Sequence, residues 1–261
     1  MNECSRFVRR ASSLFELVLV WMYPRAMNVW AISDLHLSFA RPDRRERYAA
    51  RWRDHALKIE QNWRDVVRSG DLVLIPGDIS MARNHRDVQL DLTWLDRLPG
   101  TKVLAPGNHD PWWNGVESVR PLLRSSLLAV GGDALVTHGL VVCGTAGAPV
   151  PTDPPTPDHQ AALDREMEAL DRALEKAVEI RGGTNQPLYV LWHYPPFDAH
   201  ARPGPCVERF ERAGVTACVY GHMHIEGQWP RAVQGVIRGV RYHCVAADAI
   251  GFRPLRIASH L

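Results

Sequence analysis

Short apolar runs alternate with longer amphipathic stretches from Met27 to the end of the chain. Compact runs rich in valine, leucine and isoleucine, closed by glycine or proline, are typical of buried strands. They predict strands at 29–33, 72–75, 101–105, 188–192 and 217–220. Apolar residues that recur every three to four positions predict helices at 44–68, 86–98, 116–128 and 158–181.

The remaining apolar segments are short and separated by turn residues. A hairpin is predicted around the turn His138-Gly139, from segments 134–136 and 140–143. Further β structure is predicted at 236–246 and 252–257. Loops are predicted at 193–205 and at 145–157, which contains five prolines.

Strands and helices alternate in the first half of this pattern, and strands cluster in the second half. That order favours a layered α/β domain with sheets inside and helices outside. No linker-like segment interrupts the pattern after Met27, so residues 27–261 are predicted to form one domain.

Residues 1–26 precede this domain and are interpreted separately. Arg6, Arg9 and Arg10 precede an apolar run at 14–23, which gives this segment some likeness to a signal peptide, but no small-residue cleavage site follows. The run is also too short to cross a bilayer as a helix. Two interpretations stay open: an upstream extension from a misassigned start codon, or a helix that packs on the domain.

Composition narrows the class of protein. The chain has 261 residues, 46% of them hydrophobic and 23% charged, as in soluble globular proteins. A formal net charge of +2 gives no general electrostatic reason to expect nucleic acid or a membrane surface as partner. The five cysteines form no CxxC pair, which argues against a disulfide framework or a thiolate zinc site. Reduced thiols in a cytoplasmic protein are the expectation.

Residues that can bind metals follow five of the predicted strands directly. They lie in the segments Asp34-Leu35-His36, Gly77-Asp78, Gly107-Asn108-His109-Asp110, His193 and Gly221-His222-Met223-His224. In α/β sheets, ligands bind at the carboxyl ends of the strands. Imidazole and carboxylate groups suit divalent cations such as Mn, Fe and Zn. The joint pattern therefore predicts a metal centre.

Each of these segments has a plainer explanation when taken alone. An Asp-x-His triplet is common by chance, and a single histidine such as His193 is more often structural than a ligand. Asn108 alone would be interpreted as a turn residue. The prediction depends on all five segments occurring in order, each at a strand end.

In these motifs the sequence resembles the calcineurin-like metallophosphoesterases, whose pattern is D-x-H, G-D, G-N-H-[DE], H and G-H-x-H. The resemblance implies a four-layer αββα sandwich, two mixed β-sheets flanked by helices, of the α/β (α+β) class. It also implies two divalent cations, Mn or alternatively Fe, Zn, Co or Ni. One would be held by Asp34, His36 and His224 and the other by Asn108, His193 and His222, with Asp78 bridging both.

The resemblance also implies catalytic roles within the third motif. His109 would protonate the leaving oxygen or stabilise its charge. Asp110 would orient His109 and raise its basicity. An alternative for Asp110 is a helix N-cap before Pro111.

The implied activity is hydrolysis of a phosphomonoester or phosphodiester by a hydroxide that bridges the two metals. The substrate would be a small molecule or a phosphoprotein, and no membrane span is expected. Two alternatives stay open: a non-catalytic scaffold of the same fold that binds proteins, and a nuclease. The scaffold is disfavoured because no motif residue is missing, and the near-neutral charge gives the nuclease no support.

Three further places are secondary candidates. Trp112 and Trp113 could line a substrate pocket or pack in the core. The segment 194–197 could form a rigid rim or an ordinary loop. Asp248 could support a metal ligand or lie in a surface turn.

Overall fold

The computed structural model describes residues 26–41, 50–151, 155–224 and 226–260. The predictions made for residues 1–25 and for the start of the 44–68 helix lie outside these ranges. No helix among the described residues is both long and apolar enough to cross a membrane.

The strands of the described residues form two sheets. The first sheet contains β1 (Met27–Ala31), β2 (Leu72–Pro76), β3 (Thr101–Ala105), β4 (Leu127–Ala129) and β11 (Leu255–His260), in the order β11-β1-β2-β3-β4. The second contains β5 (Asp133–Thr137), β6 (Leu140–Thr145), β7 (Leu188–Trp192), β8 (Ala217–Tyr220), β9 (Gly235–Ile237) and β10 (Val240–Cys244), in the order β5-β6-β7-β8-β10-β9.

Both sheets are mixed. β1, β2, β3 and β4 run parallel, and β11 joins the edge antiparallel. In the second sheet β6, β7, β8 and β10 run parallel, while β5 and β9 are antiparallel edges. The helices are α1 (His55–Val66), α2 (His85–Asp96), α3 (Val116–Val119), α4 (Pro157–Arg181) and α5 (Pro205–Arg212).

The alternation of side chains along each strand produces three packed layers of core. Leu72 and Leu74 of β2 point between the two sheets, where they meet residues such as Leu191. Val73 and Ile75 point outward and pack under α1 and α2. A third cluster lies between the second sheet and helices α4 and α5. The predicted sandwich of two mixed sheets flanked by helices is therefore confirmed.

Two local predictions were wrong. The helix predicted at 116–128 is only the single turn α3, followed by a 3₁₀ turn (Arg120–Leu122) and then strand β4. Pro121 limits the helix, and pairing with β3 draws 127–129 into the sheet. Helix α5 was missed, although Gly204-Pro205 is a recognisable helix start, with proline at the first helical position.

The cysteines agree with the sequence-based expectation within the described ranges. Cys143, Cys206, Cys218 and Cys244 are free and buried.

Lys102 is a charged side chain buried in the first sheet. Its ammonium lies at the end of α2, where it donates to the carbonyl of Leu98 and to Ser126 Oγ at 3.0 Å. A cation at this end of a helix satisfies free carbonyl groups. Burial nevertheless lowers the pKa of Lys102 from 10.5 to about 8, although the nearby Asp96 opposes that shift.

This burial predicts a pH dependence of stability. Below pH 8 the ammonium is charged in both the folded and the unfolded chain, so the cost of burying it is fully present. Between about pH 8 and 10.5 the folded chain gives up the proton first, so this residue's contribution to stability rises with pH. We expect the free energy of unfolding of the wild type, relative to Lys102→Met, to rise by about 2 kcal/mol over this window. Urea unfolding of both proteins at a series of pH values measures this difference. If the free energy of unfolding depended on pH in the same way for both proteins, the prediction would be wrong.

Candidate metal centre

The carboxyl ends of the parallel strands from both sheets meet at one edge of the sandwich. Ser33, just after β1, donates its backbone N–H to Val245 O at 2.9 Å, which ties the first sheet to the second. His193, just after β7, contacts the carbonyl of Pro76 at the end of β2. The loops that carry the predicted ligands therefore converge, as the strand-end pattern predicts.

Four predicted ligands lie in the left-handed backbone region that side chains other than glycine seldom adopt. The φ angles of Asp34, His36, Asp78 and His222 are 61°, 42°, 53° and 69°. Such conformations cost on the order of 1 kcal/mol each and concentrate at functional sites. Hydrogen bonds between the loops hold them: Asp34 N donates to Gly77 O at 3.0 Å and His36 N to Asp78 O at 2.9 Å.

A first group of ligand atoms belongs to Asp34, His36, Asp78 and His224, all within 4.8 Å of one another. His224 Nε2 is 2.8 Å from Asp34 Oδ1 and 2.9 Å from His36 Nε2. His36 Nε2 is 3.6 Å from Asp78 Oδ2. Three of the four residues are fully or almost fully buried.

A second group lies on the other side of Asp78. Asn108 Oδ1 is 2.9 Å from His193 Nε2 and 3.0 Å from His222 Nδ1. His193 Nε2 is also 3.4 Å from Asp78 Oδ1. The Nδ1–H of His193 donates to the carbonyl of Pro76 at 3.0 Å, which leaves the Nε2 lone pair facing this group.

These residues fit a pair of divalent cations. Asp78 Oδ2 is buried and accepts no hydrogen bond from the part of the chain that the structure describes. Its two carboxylate oxygens face different groups, Oδ2 the first and Oδ1 the second. Imidazole nitrogens, carboxylate oxygens and an amide oxygen crowded this closely offer the mixed donor set that suits such cations.

Burial and mutual charge set the protonation of the first group. Burial and the negative charge of Asp34 raise the pKa of Asp78 to about 7. Burial by itself would also raise the pKa of Asp34, but the nearby imidazoles, His224 foremost, bring it below its usual range. Burial would lower the pKa of His224, but Asp34 and Asp248 raise it to about 10. His36 has a pKa well below its usual value because it is buried beside His224.

The sequence profile of the calcineurin-like phosphoesterase family matches residues 27–226. The chain belongs to this family. The resemblance inferred from the motifs is thereby confirmed. Membership of the family supports a hydrolase, and Asp34, His36, Asp78 and His224 are a candidate metal-binding cluster.

One curated relative matches part of the chain. The Gene 66 protein of Mycobacterium phage D29 is 42% identical over 84 residues, which are 32% of this chain. That match spans only 40% of the phage protein's length.

Two solved structures are similar over most of the chain. One is the protein of unknown function AQ665 from Aquifex aeolicus, with a TM-score of 0.43, 15% identity, and coverage of 88% of this chain and 95% of that one. The other is the phosphopantetheinyl hydrolase PptH from Mycobacterium tuberculosis, with a TM-score of 0.47, 15% identity, and coverage of 85% and 90%.

Asp110 holds two loops together. Its buried carboxylate accepts hydrogen bonds from the backbone N–H groups of Ile79, Ser80 and Gly107, each at 2.9 Å, and from Trp112 Nε1 at 3.0 Å. None of the hydrogen bonds of the described residues joins it to His109, whose orientation was the role implied for it. The alternative helix N-cap was wrong, because a turn follows Pro111 and α3 begins only at Val116.

His109 lies at the mouth of the site. Its side chain is exposed, and its ring centre is 5.6 Å from that of His36. Its backbone N–H donates to Asp78 Oδ1 at 2.8 Å, which fixes its place relative to both groups. Partial burial and the neighbouring His193 lower the pKa of His109.

Three residues around His224 extend the candidate site beyond the motifs. Asp248 is buried, and its Oδ1 lies 3.4 Å from His224 Nδ1, so the supporting role considered for it fits its position. Arg51 binds Asp248 at 2.9 Å and also donates to the carbonyl of His224. Trp52 packs edge-on against His36 and His224. Neither Arg51 nor Trp52 was expected at the site, since only apolar spacing marked that segment.

The tryptophans after the third motif do not line the site. Trp112 is fully buried in the outer core of the first sheet, and Trp113 packs against that core. Tyr194 instead contacts both His193 and His222, with ring centres 5.4 and 4.4 Å apart.

Gly107 allows the loops after β2 and β3 to touch, and this generates a prediction. A Cβ at Gly107 would lie 2.3 Å from both Asp78 N and Asp78 Oδ1. We expect Gly107→Ala to displace Asp78 and weaken binding of Mn²⁺ by about tenfold or more. The control is Gly70→Ala, where the added Cβ meets nothing within 4 Å. Equilibrium dialysis with metal analysis compares the two, and equal Mn²⁺ affinity would contradict the geometry.

Proposed function

We propose that this chain is a phosphoesterase that uses two divalent cations to hydrolyse a phosphomonoester or phosphodiester. The observation that carries the proposal is the position of Asp78, which turns one carboxylate oxygen to each of two groups of ligand atoms. A carboxylate shared in this way sets the separation of a metal pair. Mn²⁺ is the cation we expect, and Fe, Zn, Co and Ni also suit these donors.

The two proposed cation sites correspond to the two groups of ligand atoms described above. The first site would use Asp34, His36 and His224, the second Asn108, His193 and His222, and Asp78 would belong to both. Two bound cations supply neutralisation of the phosphate charge and a source of hydroxide near neutral pH.

The chain's own groups keep these ligands in place. The hydrogen bond from His193 Nδ1 to Pro76 keeps Nε2 available as a ligand atom. Asp248, itself held by Arg51, occupies the Nδ1 side of His224 and turns Nε2 toward Asp34.

We assign to His109 the role of proton donor to the leaving oxygen. It is the exposed histidine of the third motif, and its backbone is tied to Asp78, so its ring is held beside the place where phosphate would bind. An imidazole there can donate a proton to the departing alkoxide. We assign Asp110 a positioning role, because it fastens the loops that carry Asp78 and His109.

Hydrolysis of bis-p-nitrophenyl phosphate and p-nitrophenyl phosphate, by metal-stripped protein with and without Mn²⁺, tests the proposal. We expect Mn²⁺-dependent release of nitrophenolate, and the faster substrate identifies the diesterase or monoesterase activity. Asp78→Asn should bind less metal and lose activity about a hundredfold, since it removes a shared charged ligand.

The matched control is Asp54→Asn, because Asp54 is exposed and has a similar left-handed backbone, with φ of 56°. Full metal content and full activity in Asp78→Asn would remove the bridging assignment. Absence of turnover in wild-type protein shown to hold two Mn²⁺ ions would favour the scaffold instead.

His109→Ala tests the acid role separately. We expect it to retain both metals but to lose about 10²-fold or more in turnover of an alkyl phosphate ester, whose leaving group needs a proton. The loss should be smaller for p-nitrophenyl esters, whose leaving group departs unprotonated. His159→Ala, an exposed histidine in α4, is the control. Equal losses on both ester types would rule out proton donation.

A further inference from the structure

A groove of about 550 Å³ opens beside the second group of ligand atoms. Its walls come from segments 149–151, 194–202 and 220–233, and His222 is part of its lining. The volume lies in the range of sites that bind small organic molecules, about 300–1,000 Å³. The groove adjoins the candidate metal centre through His222, which belongs to both.

Tyr194 forms the junction between groove and centre. It lines the groove, and its ring lies 4.4 Å from the ring centre of His222. A phosphate held near His222 would therefore place the attached organic group against Tyr194 and into the groove.

The walls of the groove are largely apolar. They include the side chains of Pro149, Val150, Pro151, Phe197, Met223 and Val233. Apolar walls favour a ligand with an aromatic or aliphatic body, because they gain by excluding water from it.

Two arginines also line the groove, and they differ in their partners. Arg202 forms an ion pair with Asp198, with Nε 2.6 Å from Oδ2, so its charge is already balanced. Arg231 is exposed and forms no ion pair with any residue in the described ranges.

The backbone around Arg231 is anchored at both sides. Trp229 Nε1 donates to Met223 O at 3.0 Å, and Tyr220 OH donates to Val233 O at 2.7 Å. The backbone at Arg231 is therefore held on the wall, and from there the guanidinium group can reach an anion in the groove.

We propose that this groove binds the organic part of the ester and selects an apolar, preferably aromatic, group that carries a second anionic substituent for Arg231. The inference rests on the proposed function, because the groove is assigned to the substrate of the same centre. It excludes a bare alkyl phosphate as the preferred substrate.

Binding to the metal-stripped protein tests the groove without turnover. Calorimetry compares 1-naphthoate with its neutral analogue 1-naphthamide and with acetate, which lacks the apolar body. We expect 1-naphthoate to bind about fivefold tighter than the amide and about tenfold tighter than acetate. Arg231→Gln should abolish the preference for 1-naphthoate over 1-naphthamide and leave the affinity for the amide unchanged.

Arg241→Gln is the matched control, because Arg241 is exposed on β10 and does not line the groove. A preference for naphthoate that survives in Arg231→Gln, or that is lost equally in Arg241→Gln, would overturn the assignment of Arg231. Equal affinity for acetate and naphthoate would overturn the inference that the groove selects an apolar group.

Turnover by the Mn²⁺-loaded protein supplies the second readout. We expect 3-carboxyphenyl phosphate to show a lower KM than 3-carbamoylphenyl phosphate, with similar kcat. In Arg231→Gln that KM difference should disappear. Hydrolysis without any such difference would overturn the inference and leave the phosphoesterase proposal intact. Naphthoate binding could depend on Arg231 while the protein hydrolyses none of the esters. That result would support the assignment of the groove and contradict the proposed activity.

Discussion

The candidate site depends on the buried carboxylate of Asp110. It accepts hydrogen bonds from backbone groups after β2, at Ile79 and Ser80, and after β3, at Gly107. Burial and the nearby charge of Asp78 raise the pKa of this carboxyl to about 7, while the backbone hydrogen bonds oppose that rise. A buried carboxylate is costly unless its oxygens accept hydrogen bonds, and these three supply them. These hydrogen bonds hold the two loops in one relative position. They therefore also set the position of Asp78 relative to Asn108.

The hydrogen bonds of Asp110 also stabilise the left-handed backbone of the predicted ligands. Asp78 directly precedes the N–H groups that Asp110 binds, and its φ of 53° is maintained because the following residues cannot rotate away. The loop after β1 is then attached to this one, since His36 donates its N–H to the carbonyl of Asp78. The predicted ligands are preorganised by a chain of contacts that starts at Asp110, which belongs to neither group of ligand atoms.

Much of this arrangement could be predicted from the sequence, because strand ends and ligand types are local features. Strands 101–105, 188–192 and 217–220 were predicted with the bounds that the structure has. The order of the ligand motifs sufficed for the family and for the sandwich fold.

What could not be predicted arises from contacts between distant segments. Arg51 reaches His224 across 173 positions, and no periodicity in the sequence marks that pairing. The resemblance implied that Asp110 orients its neighbour His109, whereas its hydrogen bonds reach Ile79 and Ser80 on another loop. Helix prediction failed at 116–128 because sheet pairing, a tertiary contact, outweighed the local apolar spacing.

The centre and the groove share one loop, and His222 belongs to both. His222 faces the ligand group, while Met223 lines the groove and accepts a hydrogen bond from Trp229 through its carbonyl. Tyr220 likewise anchors Val233 through the backbone carbonyl. Because these anchors bind backbone atoms, the side chain at position 231 can change without moving His222. In the proposed enzyme, residues at strand ends would therefore carry the chemistry, and side chains on the groove wall would separately set the preference for a substrate.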